Sequence, residues 1–264
     1  MKSRKGHVVR FAGIWGALFA LMGLWAIATP IGAAPDEPAH LIKAASVVRG
    51  EFIGETGSVG QIVDVPNYIG YTHAQTCYAF EETVAADCIP EVPGDPAETV
   101  AAPTTAGLYN PLYYALVGWP SLIIGDSSGV FAIRLVSAAL VSLALAASTT
   151  IVLSWRRGTF LTVGMLAAVT PMVLFLGGTV NPNSLEIVAT LLAFVGVVGI
   201  VRSPTAERMW PLAAVTAVAS AVAANMRGLS LLWLAIALVV LAGLIWLGRN
   251  QLREQPAPAT NLLQ

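Results

Sequence analysis

Pro35-Asp36-Glu37-Pro38-Ala39-His40 follows directly on a long apolar run. Two adjacent carboxylates and an imidazole therefore stand where a membrane helix would leave the bilayer. Ionisable groups at such a boundary are costly unless they face water or do work. The work they suit is general base catalysis, in which a carboxylate deprotonates an acceptor hydroxyl while a leaving group departs. His40 lies four residues after Asp36, so one helix face can carry both, and the histidine can orient the carboxylate or bind phosphate. The plainer reading is helix initiation: Asp36 caps, Glu37 answers the helix dipole and Pro38 opens the first turn.

Two arginines could hold the anion such a reaction needs. Arg134 opens one apolar run, and Arg227 follows Asn225-Met226 at the break between two others. The planar guanidinium fork matches a phosphate; snorkelling, or pairing with an acid such as Asp126, is the structural alternative. Asn181-Pro182-Asn183-Ser184-Leu185-Glu186 reads as a turn opening a helix, with Asn183 as cap and Glu186 completing a capping box.

The elements that must position these groups are membrane helices. Of 264 residues, 56% are hydrophobic and 11% charged, with a mean hydropathy of +0.72. Soluble domains carry roughly 25% charged residues. Apolar runs cover 11–31, 130–154, 159–178, 185–201, 211–224 and 229–247, with 111–125 a shorter candidate. Run 11–31 exceeds the roughly 7–15 residues of a signal-peptide core, and Pro35 would sit just after the cut, so it reads as a retained helix.

Charge sets the expected topology. No Lys or Arg occurs between Arg49 and Arg134, whereas acids recur there from Glu51 to Asp126. Basic residues cluster at Lys2–Arg10, Arg156-Arg157, Arg202 with Arg208, and Arg249 with Arg253. All of them fall on the cytoplasmic side if 111–125 lies in the interface and does not cross. The expectation is an all-α multipass protein of about six spans. Residues 1–10 form a cytoplasmic basic terminus, 11–31 the first span and 32–128 an extracytoplasmic loop with interfacial helices at 36–49 and 111–125. A five-helix bundle covers 129–248, and a disordered cytoplasmic tail 249–264. Nothing resembles a nucleic-acid patch.

Within the long loop, 36–49 has the apolar spacing of an amphipathic helix lying on the membrane. Asn110-Pro111 opens the second helix, with Tyr109, Tyr113, Tyr114 and Trp119 at headgroup depth. Cys77 and Cys88, an even pair in one extracytoplasmic loop, suggest a disulfide. A zinc site fits poorly, since only His73 is near. Ala138, Ser142 and Ala146 recur every four residues, a spacing that permits close helix contact.

Taken in order, the acidic motif, the long loop, Asn110-Pro111-Leu112-Tyr113-Tyr114, Arg134-Leu135 and Asn181-Pro182-Asn183 resemble an uncharacterised family of predicted bacterial membrane proteins, common in actinobacteria. That family is similar to the GT-C glycosyltransferases. The resemblance implies a polyprenyl-phosphate sugar donor in the plasma membrane and a cell-envelope acceptor, with transfer by inversion. It implies Asp36 as catalytic base, Glu37 and His40 as assistants, and Arg134, Arg227, Asn110 and Tyr113 as substrate contacts. Cofactors are unknown; a divalent metal is left open without assigned ligands. Relatives are usually longer, so the alternative is a non-catalytic or truncated subunit that binds a lipid carrier or a partner membrane protein.

Overall fold

The computed structural model describes residues 2–155, 159–203 and 205–254. The chain runs α1 (Lys2–Ala28), α2 (Glu37–Val47), β1 (Glu55–Thr56), β2 (Gln61–Pro66), the one-turn α3 (Asn67–Gly70), β3 (Thr99–Thr104) and α4 (Leu112–Val117). It continues through α5 (Ser128–Leu153), α6 (Thr159–Ala168), α7 (Pro171–Gly177), α8 (Pro182–Val201), α9 (Ala206–Ala224) and α10 (Ser230–Glu254). Among the described residues, four stretches are long and apolar enough to cross a membrane: Lys5–Ala28, Ser128–Leu153, Pro182–Val201 and Ser230–Gly248.

The protein is mostly helical, but the expected all-α class needs correcting. Between α2 and α4 lies a three-stranded antiparallel sheet in the order β1-β2-β3. Its register runs from Gln61 opposite Thr104 to Pro66 opposite Thr99. Alternation along β2 buries Val63 and Val65 on one face, which is the period-two pattern of a half-covered sheet. Gly60 closes the β1–β2 turn with φ 81°, where a Cβ would sit 2.4 Å from Thr104 O.

The helix expected to lie on the membrane does not do so. Every residue of α2 is buried, and the helix packs against both the sheet and α4. Its polar residues, Glu37, His40, Lys43 and Ser46, recur every third position, which imitates a solvated stripe. Each instead has an internal partner. Lys43 Nζ donates to Phe52 O and Gly107 O, and Ser46 Oγ donates to Lys43 O. A buried polar helix is stable only when its groups are satisfied in this way.

Three other elements bear on the expected spans and tail. The segment 111–125 forms α4 and a 3-10 turn at Trp119–Leu122; six α-helical residues rise about 9 Å, far short of a bilayer core of about 30 Å. The run 159–178 breaks into α6 and α7, because Pro171 cannot continue α6 and Thr170 caps α7 by accepting from Val173 N at 3.3 Å. Helix α10 extends to Glu254, into the stretch expected to be a tail. Arg156, Arg157 and 255–264 lie outside the described residues.

Helix α5 packs on α1 and α8, and α8 on α9. Ala138, Ser142 and Ala146 are all buried. Gly196 sets the α8–α9 approach: a Cβ there would lie 2.1 Å from Thr216 Oγ1.

Candidate functional site

The ends of several helices meet beneath the sheet-bearing segment. Asp36 precedes α2 and adopts φ 61°, ψ −2°, in the left-handed region. That conformation is uncommon for a residue with a Cβ and costs free energy. The expected capping bond is absent: the Asp36 side chain accepts no hydrogen bond from the first turn of α2. It is exposed and lines a cavity of about 690 Å³ together with Pro35, Ala39, His73, Tyr78 and Phe80. Cys77 and Cys88 are bonded, with Cα atoms 6.2 Å apart, and close the loop whose residues Tyr78–Phe80 form one wall of that cavity. Tyr78 Oη ties this wall to the turn after α1 by donating to Ile31 O at 2.8 Å.

Glu37 turns the other way. Its side chain and that of Arg134 are fully buried and form the single salt bridge among the described residues. Arg134 donates through Nε to Glu37 Oε1 at 2.8 Å and through Nη2 to Glu37 Oε2 at 2.5 Å. Its remaining N–H groups go to Ala26 O, Thr29 O and Pro30 O, at 2.6–3.0 Å. A guanidinium has five N–H donors, and all are engaged. Glu37 Oε1 also accepts Val180 N at 2.9 Å. The expectation that Arg134 contacts a phosphate and that Glu37 assists catalysis is therefore corrected: the pair staples α1, α2, α5 and the α7–α8 turn.

Asn110 and Tyr113, expected as substrate contacts, hold bonds within the framework. Asn110 Oδ1 accepts Leu112 N, and its Nδ2 donates to Asn225 Oδ1. Tyr113 is fully buried; its hydroxyl accepts Asn181 N at 2.9 Å and shares a 2.9 Å hydrogen bond with Ser137 Oγ. Burial drives its pKa well above the ordinary tyrosine value. The cap of α8 is Asn181, whose Oδ1 accepts Asn183 N, so the expected capping box at Asn183 and Glu186 does not form.

His40 is buried and makes its side-chain hydrogen bond with Tyr114 Oη, at 2.9 Å from Nδ1. It does not orient Asp36 through a hydrogen bond. Burial lowers its pKa to about 4, with the charge of Asp36 opposing and that of Arg227 adding. The histidine thus stands electrically between Asp36 and Arg227. Its ring lies 5.9 Å from those of Tyr109 and Tyr114.

Arg227 keeps the capacity that Arg134 lacks. It is part-buried, donates Nη1 to Asn183 Oδ1 at 2.6 Å and Nη2 to Tyr109 Oη at 3.1 Å, and lies 5.3 Å from the Tyr109 ring. Three of its five donors remain free, and it pairs with no carboxylate among the described residues. With Tyr109, Glu186 and Trp233 it lines a second cavity of about 240 Å³. Tyr109, Asn183 and Ser230 were not legible as site residues, because their partners lie 44 to 118 positions away. Among the described residues no group of three or more His, Cys, Asp or Glu could hold a metal ion, so the divalent metal left open by the sequence has no such cage there.

Residues 19–261 match the family described as Predicted membrane protein (DUF2142). The chain belongs to this family. Its membership fits the four long apolar helices and places the site in a membrane protein. No curated protein and no solved structure matches the chain.

Proposed function

We propose that this DUF2142 protein is an inverting glycosyltransferase of the GT-C kind. It would move a sugar from a polyprenyl-phosphate donor to a cell-envelope acceptor on the outer side of a bacterial plasma membrane. Six passes, with α6–α7 as one broken span and α9 as another, keep both termini cytoplasmic. The positions of the basic clusters and a disulfide-bearing loop favour that orientation.

The observation that carries the reading is Asp36. It is an exposed carboxylate in a strained backbone, without a capping role, on the wall of the largest of the cavities described above. Strain of this sort persists where surrounding structure enforces it, commonly at functional sites. In the mechanism, Asp36 takes the proton of the acceptor hydroxyl as that oxygen attacks the anomeric carbon. The carbon–oxygen bond to the donor phosphate breaks on the opposite face, and Arg227 meets the departing phosphate with its free N–H groups. Glu37 and Arg134 position Asp36 by fixing the start of α2. His40, neutral and tied to Tyr114, separates base from cation.

Transfer in proteoliposomes tests the assignment. Asp36→Asn should lower turnover by about 10²–10⁴-fold, the usual contribution of a positioned base, with insertion and size-exclusion profile unchanged. Undiminished turnover would sink the role. One observation favours a non-catalytic carrier-binding subunit: of the three motif residues, Glu37 and His40 are both occupied in internal bonds. A stable membrane partner, with no turnover by the wild-type protein alone, would decide for that alternative.

A further inference from the structure

Glu186 and Arg227 face one small cavity, carry opposite charges and do not pair. Neutral groups hold each of them. Arg227 is fixed by Asn183 and Tyr109, while Glu186 Oε1 accepts Ser230 Oγ at 2.6 Å. Ser230 Oγ in turn accepts Arg227 N at 2.8 Å, so one buried hydroxyl anchors both ends. The two charges are kept apart although mutual approach would be favourable. Trp233 and Tyr109 supply aromatic faces within the same lining, and such faces attract cations.

The cavity also has a fixed place relative to the long apolar helices. It lies at the starts of α8 and α10, both long enough to span. Little of the apolar length of α10 is buried, so the surface below Trp233, with Ile236 and Val240 exposed, is free to meet lipid chains. A ligand with a phosphate alone would satisfy Arg227 but bring its anion against Glu186. A ligand with a cation alone would meet the reverse conflict. A head group carrying both signs satisfies the two residues together.

We propose that this cavity receives a lipid-linked phosphate head group bearing a primary ammonium, with the phosphate on Arg227 and the ammonium on Glu186. The inference rests on reading Arg227 as a phosphate contact, and adds a cation subsite to it. A primary ammonium is specified because a carboxylate oxygen accepts N–H donors, which a quaternary ammonium lacks. The chemistry is shared by an ethanolamine phospholipid of the bilayer and by a prenyl-linked phosphate whose sugar carries an amine.

The test uses the full chain in a neutral detergent, with native mass spectrometry of adducts formed with phosphatidylethanolamine, phosphatidylcholine and phosphatidylglycerol of equal chain length. The ethanolamine lipid should be retained about tenfold over the other two, the worth of one charge-assisted bond. Glu186→Gln, which keeps the shape and the Ser230 partner, should erase that preference; Arg227→Gln should remove all three adducts. If Arg227→Gln is not recovered folded, Glu186→Gln decides alone. Equal retention of the glycerol lipid by wild type, or a preference that survives Glu186→Gln, overturns the proposal. Mass analysis of the lipid that co-purifies separates the sources: a glycerophosphoethanolamine assigns the bilayer lipid, an amine-bearing prenyl phosphate the donor, and an amine-free anionic lipid overturns the proposal. Asp36→Asn protein should keep the ethanolamine preference, so failure of the base and failure of this cavity are read separately.

Discussion

Arg134 and Arg227 stand at the same end of the helix bundle and looked equivalent as outer cations. Their surroundings separate them. Arg134 is wholly buried, pairs with a buried carboxylate and has five engaged donors. Arg227 is part-buried and, among the described residues, meets only neutral oxygens and keeps three donors free. The same division runs through the acidic motif: Glu37 belongs to the closed region, Asp36 to the open one. Saturated hydrogen bonding marks framework here, and unused capacity beside a cavity marks the candidate site. Substitutions in the closed region should therefore appear as lost stability, and those in the open region as lost function.

The largest effect belongs to the closed pair. Arg134→Gln leaves Glu37 buried without its cation and strips three backbone carbonyls of their donor. Breaking a buried pair typically costs about 3–5 kcal/mol. Thermal unfolding followed by fluorescence-detected size exclusion should show a steep loss of monodisperse protein. A variant as stable as wild type would remove the distinction between the two arginines.

His40, on the border between the regions, gives the next effect. Its folded-state pKa of about 4 lies below the ordinary 6.5, so the unfolded chain takes up the proton first as pH falls. The contribution of His40 is complete above about pH 6.5 and is lost progressively as pH falls toward about 4, at about 1.4 kcal/mol per pH unit. At pH 5 the loss is about 2 kcal/mol. His40→Asn should flatten the slope of stability against pH in that window; an unchanged slope would assign it to other groups.

How much of this division could be read beforehand depends on how local each signal was. Membrane character and helical content were legible, because apolar runs such as 130–154 announce themselves by length alone. The sheet was hidden, since β2 and β3 are separated by a stretch of short helical turns and Pro-rich loop, and their pairing joins residues 61 and 104. Helix α2 was misplaced for a physical reason: a stripe of Glu37, His40, Lys43 and Ser46 looks solvated until its partners are known. Those partners lie 97 residues away for Glu37, 74 for His40 and 64 for one of the Lys43 bonds. The break between α6 and α7 needed only Thr170-Pro171, a local signal outweighed by the apolar run around it. Asp36 was conspicuous by type and position, but its left-handed backbone was not.

Tyr113 sharpens the comparison on a smaller scale. Its hydroxyl joins Ser137 to the backbone of Asn181, so Tyr113→Phe leaves a buried N–H without an acceptor. The expected cost is about 1–2 kcal/mol. Since Tyr113 belongs to the closed region, KM for the donor in the transfer assay should stay unchanged. A raised KM at unchanged stability would return the residue to the substrate contacts.

Asp36→Gly should give the smallest stability effect, and one of opposite sign. Glycine reaches φ 61° without the steric cost of a Cβ. With no cap bond to lose, relief of strain should stabilise the protein by about 0.5–1 kcal/mol while transfer falls as it does in Asp36→Asn. If Asp36 served α2 through the helix dipole, removing the acid would instead destabilise, by about 0.3–1 kcal/mol. The sign of this shift, read from the same unfolding assay, separates a carboxylate kept for chemistry from one kept for the fold.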